Sequence, residues 1–179
     1  MQYKTIFAVL LIGLSSSAIA EADWDTYIER TGDVLAVALP LTALTATYTL
    51  QDSEGRKQLV TSYAATLSLT YAGKFAIGKE RPDGSNNLGF PSAHTSSAFS
   101  GASFLAKRYG WDIGVPAYLA ASFVGYSRVH ANKHDWWDVT AGAALAMGIN
   151  EWLVSERSDV NVALLPMEGG AQLAFSVRY

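Results

Sequence analysis

The stretch Ser127–Asp138, SRVHANKHDWWD, sets His130 and His134 four residues apart and follows them with Asp138. Three chemistries fit the pattern: a metal-binding pair on a helix face, a basic loop around an anion, or a nucleophilic imidazole with its orienting acid. Two further blocks carry groups of the same kind. KFAIGKERP holds Lys74 and Arg81 before Pro82, and FPSAH holds Pro91, Ser92, Ala93 and His94. The chain contains no cysteine, which excludes a thiol nucleophile and a cysteine-based zinc site.

Five apolar segments position these blocks, at about 34–50, 59–77, 96–107, 115–126 and 139–154. They are rich in Ala and Leu, and their lengths suit helices better than strands. QDSEGRK, RPDGSNNLGFP and RYGWDIG read as loops from their Gly, Pro and Asn turn chemistry. If successive helices run antiparallel on short connections, four helix ends meet at one end of a bundle. They are the end of the second, the start of the third, the end of the fourth and the start of the fifth. All three polar blocks lie on those ends. The tail VNVALLPMEGGAQLAFSVRY changes character, with two short runs around Glu168-Gly169-Gly170 that predict a β-hairpin.

Charge supports a local anion site rather than a general nucleic-acid binder. The net charge is −3, yet residues 74–134 hold seven Lys/Arg against three Asp/Glu. At the N-terminus, MQYKTIFAVLLIGLSSSAIA has a Lys-bearing start, an apolar run and an Ala18-x-Ala20 exit, the pattern of a secretory leader. An uncleaved anchor is the competing reading. The organisation expected is therefore a leader at 1–20 and one domain at 21–179, with a helical core at about 34–155 and a hairpin at about 160–179. Mean hydropathy of +0.13 and the short third segment favour a soluble or peripherally associated bundle over one sunk in lipid.

Lys-x6-Arg-Pro, Pro-Ser-x-His and Ser-Arg-x5-His-x3-Asp, running from Lys74 to Asp138 with every spacing intact, resemble the signature of the type 2 phosphatidic acid phosphatase superfamily. That superfamily also includes bacterial class A acid phosphatases and vanadium haloperoxidases. The resemblance implies an all-α helical bundle of five to six helices with its active site at one end. It also implies an exported phosphatase that needs no metal and no cofactor and works through a phosphohistidine.

The residue chemistry is compatible with that implication. Phosphoryl transfer depends on positioning and charge stabilisation, and Lys74, Arg81 and Arg128 can supply as fixed cations what other enzymes take from magnesium. Ser92, Ala93 and the start of the third helix add anion-binding donors. His134 can attack phosphorus while Asp138 fixes its tautomer. His94 is then the general acid for the leaving oxygen. Ala93 departs from the commoner glycine, which should tune how closely backbone approaches phosphate. A zinc reading of His130 and His134 lacks the intervening Glu and leaves three cations without a role; His130 is instead read as a neighbour of the site. Trp136 and Trp137, with Phe90, are candidates for an apolar wall.

The expected substrate is a phosphomonoester or pyrophosphate, with a lipid phosphate such as a phosphatidate, polyprenyl pyrophosphate or lipid A permitted, in a periplasmic or exported setting with peripheral membrane contact. The alternatives are a vanadate-dependent haloperoxidase and a non-catalytic envelope lipid-binding module.

Overall fold

The computed structural model describes residues 24–157 and the strand segments 159–167 and 170–178. The expected leader at 1–20 lies outside the described residues. Five helices follow in order: α1 (Trp24–Thr49), α2 (Ser53–Ile77), α3 (Ala93–Tyr109), α4 (Trp111–His130) and α5 (Trp136–Leu153). Helix α3 is the axis of the bundle and packs against the other four.

Small residues make that axis possible. Ala98 and Ala102 are fully buried on α3, with Phe104 and Leu105 beside them, and Ala43, Ala121, Val124 and Ala146 close in from α1, α4 and α5. Gly101 marks the tightest crossing: a Cβ there would stand 2.6 Å from the Leu39 carbonyl carbon and the Pro40 nitrogen of α1. Such narrow faces let backbones approach closely enough for serines and threonines to bond between helices. Thr70 donates to Ser96 Oγ at 3.0 Å, and Ser97 donates to the Ala36 carbonyl at 2.7 Å. A core of small polar groups is tolerable because most of them are hydrogen-bonded.

The helix ends are set by caps. Asp52 starts α2 by accepting from Gly55 N at 2.8 Å, and Ser92 starts α3 by accepting from Thr95 N. Asp135 and Asp138 form a capping box at the start of α5, each carboxylate accepting the other's backbone N–H at 3.0 Å. Gly78, at φ 61°, closes α2 in the left-handed conformation that favours glycine.

Several sequence expectations are corrected. Every helix is longer than its apolar segment, because the segments mark buried stripes while polar caps lie outside them; the helical core begins at Trp24 rather than about residue 34. RYGWDIG is not a loop but a one-residue corner at Gly110 (φ 96°) between α3 and α4. The expected bundle of five to six helices is corrected to five. Among the described residues there are five helices and no sixth, and the buried core comes from the helical region ending at Val154, so the fold class is set by helices alone. Beyond them, β1 (Asp159–Met167) and β2 (Gly170–Arg178) pair antiparallel, with Val162 opposite Phe175. No helix among the described residues is long and apolar enough to cross a membrane.

Candidate active site

The end of the bundle where α2 and α4 finish and α3 and α5 begin holds a cavity of about 230 Å³, lined by Glu29, Asp33, Arg81, His94, Arg128, Lys133 and His134. One backbone bond joins two of the helix starts: Ser92 N donates to the Asp138 carbonyl at 3.0 Å. Gly142 lets α5 lie close enough for this, since a Cβ there would meet the Ser92 carbonyl at 2.7 Å.

His134 is 2% exposed and lies in the short loop between α4 and α5, its N–H donating to the Arg128 carbonyl at 3.2 Å. Its Nδ1 lies 3.3 Å from Asp138 Oδ2, one helical turn ahead on α5. Asp138 is fully buried, and Oδ2 also accepts the Asp135 N–H at 3.0 Å. Lys79 donates to the other oxygen, Oδ1, at 2.7 Å and simultaneously to Asp135. Desolvation works against a charged Lys79, but the bonds to Asp135 and Asp138 outweigh it and raise its pKa. Burial, then the charges of Lys74 and Arg81, push the His134 ring down to about 4, with Asp138 opposing. A ring so placed is neutral at neutral pH, the state in which an imidazole nitrogen is nucleophilic.

The cations are held in different ways. Arg128, 3% exposed, is locked by three bonds: Nε to Ser127 Oγ at 3.2 Å, Nη1 to Asp33 at 2.7 Å and Nη2 to the Glu29 carbonyl at 2.6 Å. Two of the three reach α1. Lys74 is buried behind the cavity, and its ammonium donates to the Leu88 carbonyl at 2.6 Å. Burial and the neighbouring Arg81 pull its pKa down to about 8. Arg81 has a buried Nε without a hydrogen-bond partner among the described residues, a donor left over for a ligand. Lys133 lines the cavity and pairs with Asp83 at 2.9 Å.

His94 stands on the first turn of α3, half-exposed, with Nε2 3.1 Å from Asp33 Oδ1. Its pKa is lowered by burial, then by Arg128, Arg81 and Lys74, while Asp33 raises it.

The sequence-predicted residues thus separate by position. Arg81, His94, Arg128 and His134 line the cavity; Asp138 and Lys74 stand behind it. Ser92 is fully buried as the cap of α3, its oxygen accepting from Thr95 N and Thr95 Oγ1, and neither it nor Ala93 lines the cavity. His130 is not paired with His134: its Nε2 lies 2.7 Å from Asp25 of α1. No cluster of metal-ligating side chains occurs among the described residues. Trp136 and Trp137 are 59% and 77% exposed and line no part of the cavity, so the expected apolar wall is replaced by polar groups.

Two participants escaped the sequence reading. Lys79 sits inside KFAIGKERP, where its spacing from Asp138 across fifty-nine positions gives no local sign of contact. Asp33 lies on α1, far outside the three blocks and just before the first apolar segment read from the sequence.

A helical bundle carrying this constellation defines a phosphoric ester hydrolase, and the comparisons with known proteins agree. The profile of the PAP2 superfamily matches residues 56–157. The chain is 31% identical to a lipid A 4′-phosphatase of Helicobacter pylori, over 98% of this chain and 94% of that protein. It is 40% identical to a lipid A 1-phosphatase of Porphyromonas gingivalis over 84 residues, 45% of this chain and 19% of that protein. The crystal structure of Aquifex aeolicus LpxE superposes with a TM-score of 0.64 at 20% identity, covering 76% of this chain and 88% of that one, a likeness of fold. The chain belongs to the PAP2 superfamily and is a phosphatase of that superfamily.

Proposed function

We propose that the protein removes a phosphate monoester from a lipid A-type glycolipid, the 4′-phosphate first, through a phosphohistidine on His134 and without a metal ion. The observation that carries the chemistry is the cavity in which His134, backed by Asp138, faces Arg81, Arg128 and His94. The near full-length likeness to a lipid A 4′-phosphatase supports the substrate class.

In the first half-reaction the lone pair of His134 Nε2 attacks phosphorus, while Nδ1 keeps its proton toward Asp138. The bond from phosphorus to the ester oxygen breaks, and His94 gives its proton to that oxygen. Arg81, Arg128 and the buried Lys74 offset the charge spread over the equatorial oxygens, the task magnesium performs elsewhere. In the second half-reaction neutral His94 takes a proton from water, whose oxygen attacks phosphorus. The P–N bond breaks and phosphate leaves with His134 restored.

The same reading places the domain at 21–179 behind a leader at 1–20, exported and lying against a membrane. Exposed apolar side chains on α1, among them Trp24, Val34, Val37 and Leu41, support the last point. Mass spectrometry of the products from detergent-dispersed lipid A, phosphatidate and polyprenyl pyrophosphate tests the substrate. Loss of one phosphate from the 4′ position at a kcat/KM above that for the other two is expected. Turnover of phosphatidate or polyprenyl pyrophosphate with lipid A untouched would overturn the assignment.

A further inference from the structure

Asp33 is a group of the cavity wall to which the mechanism above gives no part. It is an acid on α1, and α1 lies outside both the three motif blocks and the residues 56–157 matched by the family profile. Yet Asp33 lines the cavity, and its Oδ1 is shared between two members of the site. It is 2.7 Å from Arg128 Nη1 and 3.1 Å from His94 Nε2. We propose that Asp33 is a positioning residue for the general acid, tying His94 Nε2 to Arg128 so that the opposite ring nitrogen, Nδ1, presents the proton to the leaving oxygen. The inference rests on the reading of His94 as that acid.

The physical need is plain from the surroundings. Every cation that serves the phosphate works against a protonated imidazole: Arg128 on α4, Arg81 in the loop after α2 and Lys74 on α2 all lower the pKa of His94, as does its burial. Lys133 adds a further positive charge to the cavity wall, and His134 faces the same space. On the acidic side stand Glu29 and Asp33 of α1, and Asp33 is the one whose carboxylate comes within 3.1 Å of the ring as an ion-pair partner. A site built only to bind phosphate would discharge its own acid, and one carboxylate at hydrogen-bond range opposes that. Asp33 faces His94 Nε2 at 3.1 Å, which leaves the opposite nitrogen, Nδ1, for substrate. The dyad has the logic of an acid that orients a histidine from behind, with the second function of fixing the arginine beside it.

A merely structural Asp33 would affect all substrates alike, whereas a positioning one acts through proton donation. The test therefore compares kcat/KM, which reports the step up to ester cleavage, for 4-nitrophenyl phosphate and for a short alkyl phosphate. The nitrophenolate leaves without a proton and the alkoxide does not. Asp33→Asn is expected to lower kcat/KM for the alkyl phosphate by about 10- to 100-fold, part of the range a general acid supplies. For 4-nitrophenyl phosphate the loss, which reflects only the looser hold on Arg128 once its bonds to Ser127 and Glu29 are left, should be at least about threefold smaller, and the remaining activity also reports that the variant is folded. The alkaline limb of the alkyl phosphate profile should move to lower pH, because removing the carboxylate lowers the pKa of His94 further. Asp33→Glu should recover part of the loss. Equal losses on both substrates, an unmoved alkaline limb, or a gain in kcat/KM marking Asp33 as an obstructing phosphate mimic would each overturn the proposal. His94→Ala run in parallel separates the two claims. If it shows the leaving-group dependence and Asp33→Asn does not, Asp33 alone is misassigned; if His94→Ala shows none, the reading of His94 as the acid falls.

Discussion

Replacing Lys79 with Gln tests how the acid behind the nucleophile is held. Asp138 is fully buried, and its carboxylate has three neighbours: Lys79 at 2.7 Å, the Asp135 N–H at 3.0 Å and His134 Nδ1 at 3.3 Å. Lys79 is the only one of them that carries a fixed positive charge. A hydrogen bond to a charged buried group contributes about 1.5–3 kcal/mol. The second bond, to Asp135, is 41% exposed on the carboxylate side and adds at most about 1 kcal/mol. Loss of both should destabilise the domain by about 3 kcal/mol, which at its size lowers Tm by roughly 6–12 °C. The kinetic consequence has a definite sign. With its counter-ion gone, the negative charge of Asp138 acts undivided on His134 and favours the imidazolium. The acid limb of kcat/KM, set by the requirement for a neutral His134, should then rise from about 4 by about one pH unit. Thermal unfolding followed by circular dichroism and a pH series of kcat/KM measure the two effects, and Lys79→Arg should restore both. An unchanged Tm together with an unmoved acid limb in Lys79→Gln would refute the bridging role.

Three more outcomes follow from the same geometry. The wild-type kcat/KM should peak on the acid side of neutrality. His134 must be neutral, which holds above about 4, and His94 must be protonated, which holds only below a pKa already depressed from 6.5. A maximum above pH 8, where Lys74 itself loses its proton, would contradict this. Gly142→Ala should force α5 away from the Ser92 carbonyl, which would stand 2.7 Å from the new Cβ. It should cost about 1–3 kcal/mol of stability by overpacking, and about 10- to 100-fold in kcat by separating His94 from His134, readable in the same two assays. At the other end of the bundle, Arg108 donates twice to Asp52 at 2.7 Å and to the Ser155 and Glu156 carbonyls. Burial would raise the Asp52 carboxyl, but its bonds to Arg108, Gly55 N and Tyr109 hold it down to about 2 against an ordinary 3.8. The pair's stability is therefore present above 3.8 and lost as pH falls toward 2, and Arg108→Met should remove that acid-dependent part of the melting curve while sparing kcat.

The residues of the candidate site were legible as a group because phosphate chemistry would call for fixed residue types at helix ends. Lys74, Arg81, His94, Arg128, His134 and Asp138 are spaced by the turns and caps that bring four helix termini together, and those intervals survive in the chain order. Helix lengths were not legible, since Asp52, Ser92 and Asp135 are polar caps lying beyond the apolar stripes that periodicity detects. Asp33 and Lys79 were invisible for a different reason: each is an unremarkable surface-type charge until folding sets it beside a partner on another element. Trp136 and Trp137 misled because aromatic content near a motif suggests a wall, whereas the capping box turns both rings outward.

The central step of the proposed mechanism is a covalent bond between phosphorus and His134. Rapid mixing of the enzyme with a radiolabelled phosphomonoester, an alkaline quench that preserves phosphohistidine, and mass spectrometry of the peptides would look for it directly. The mechanism predicts one phosphoryl group per active site on His134, lost on acid treatment, absent in His134→Ala and accumulated in His94→Ala with a good leaving group. Label on a different residue, or normal turnover by His134→Ala, would contradict it.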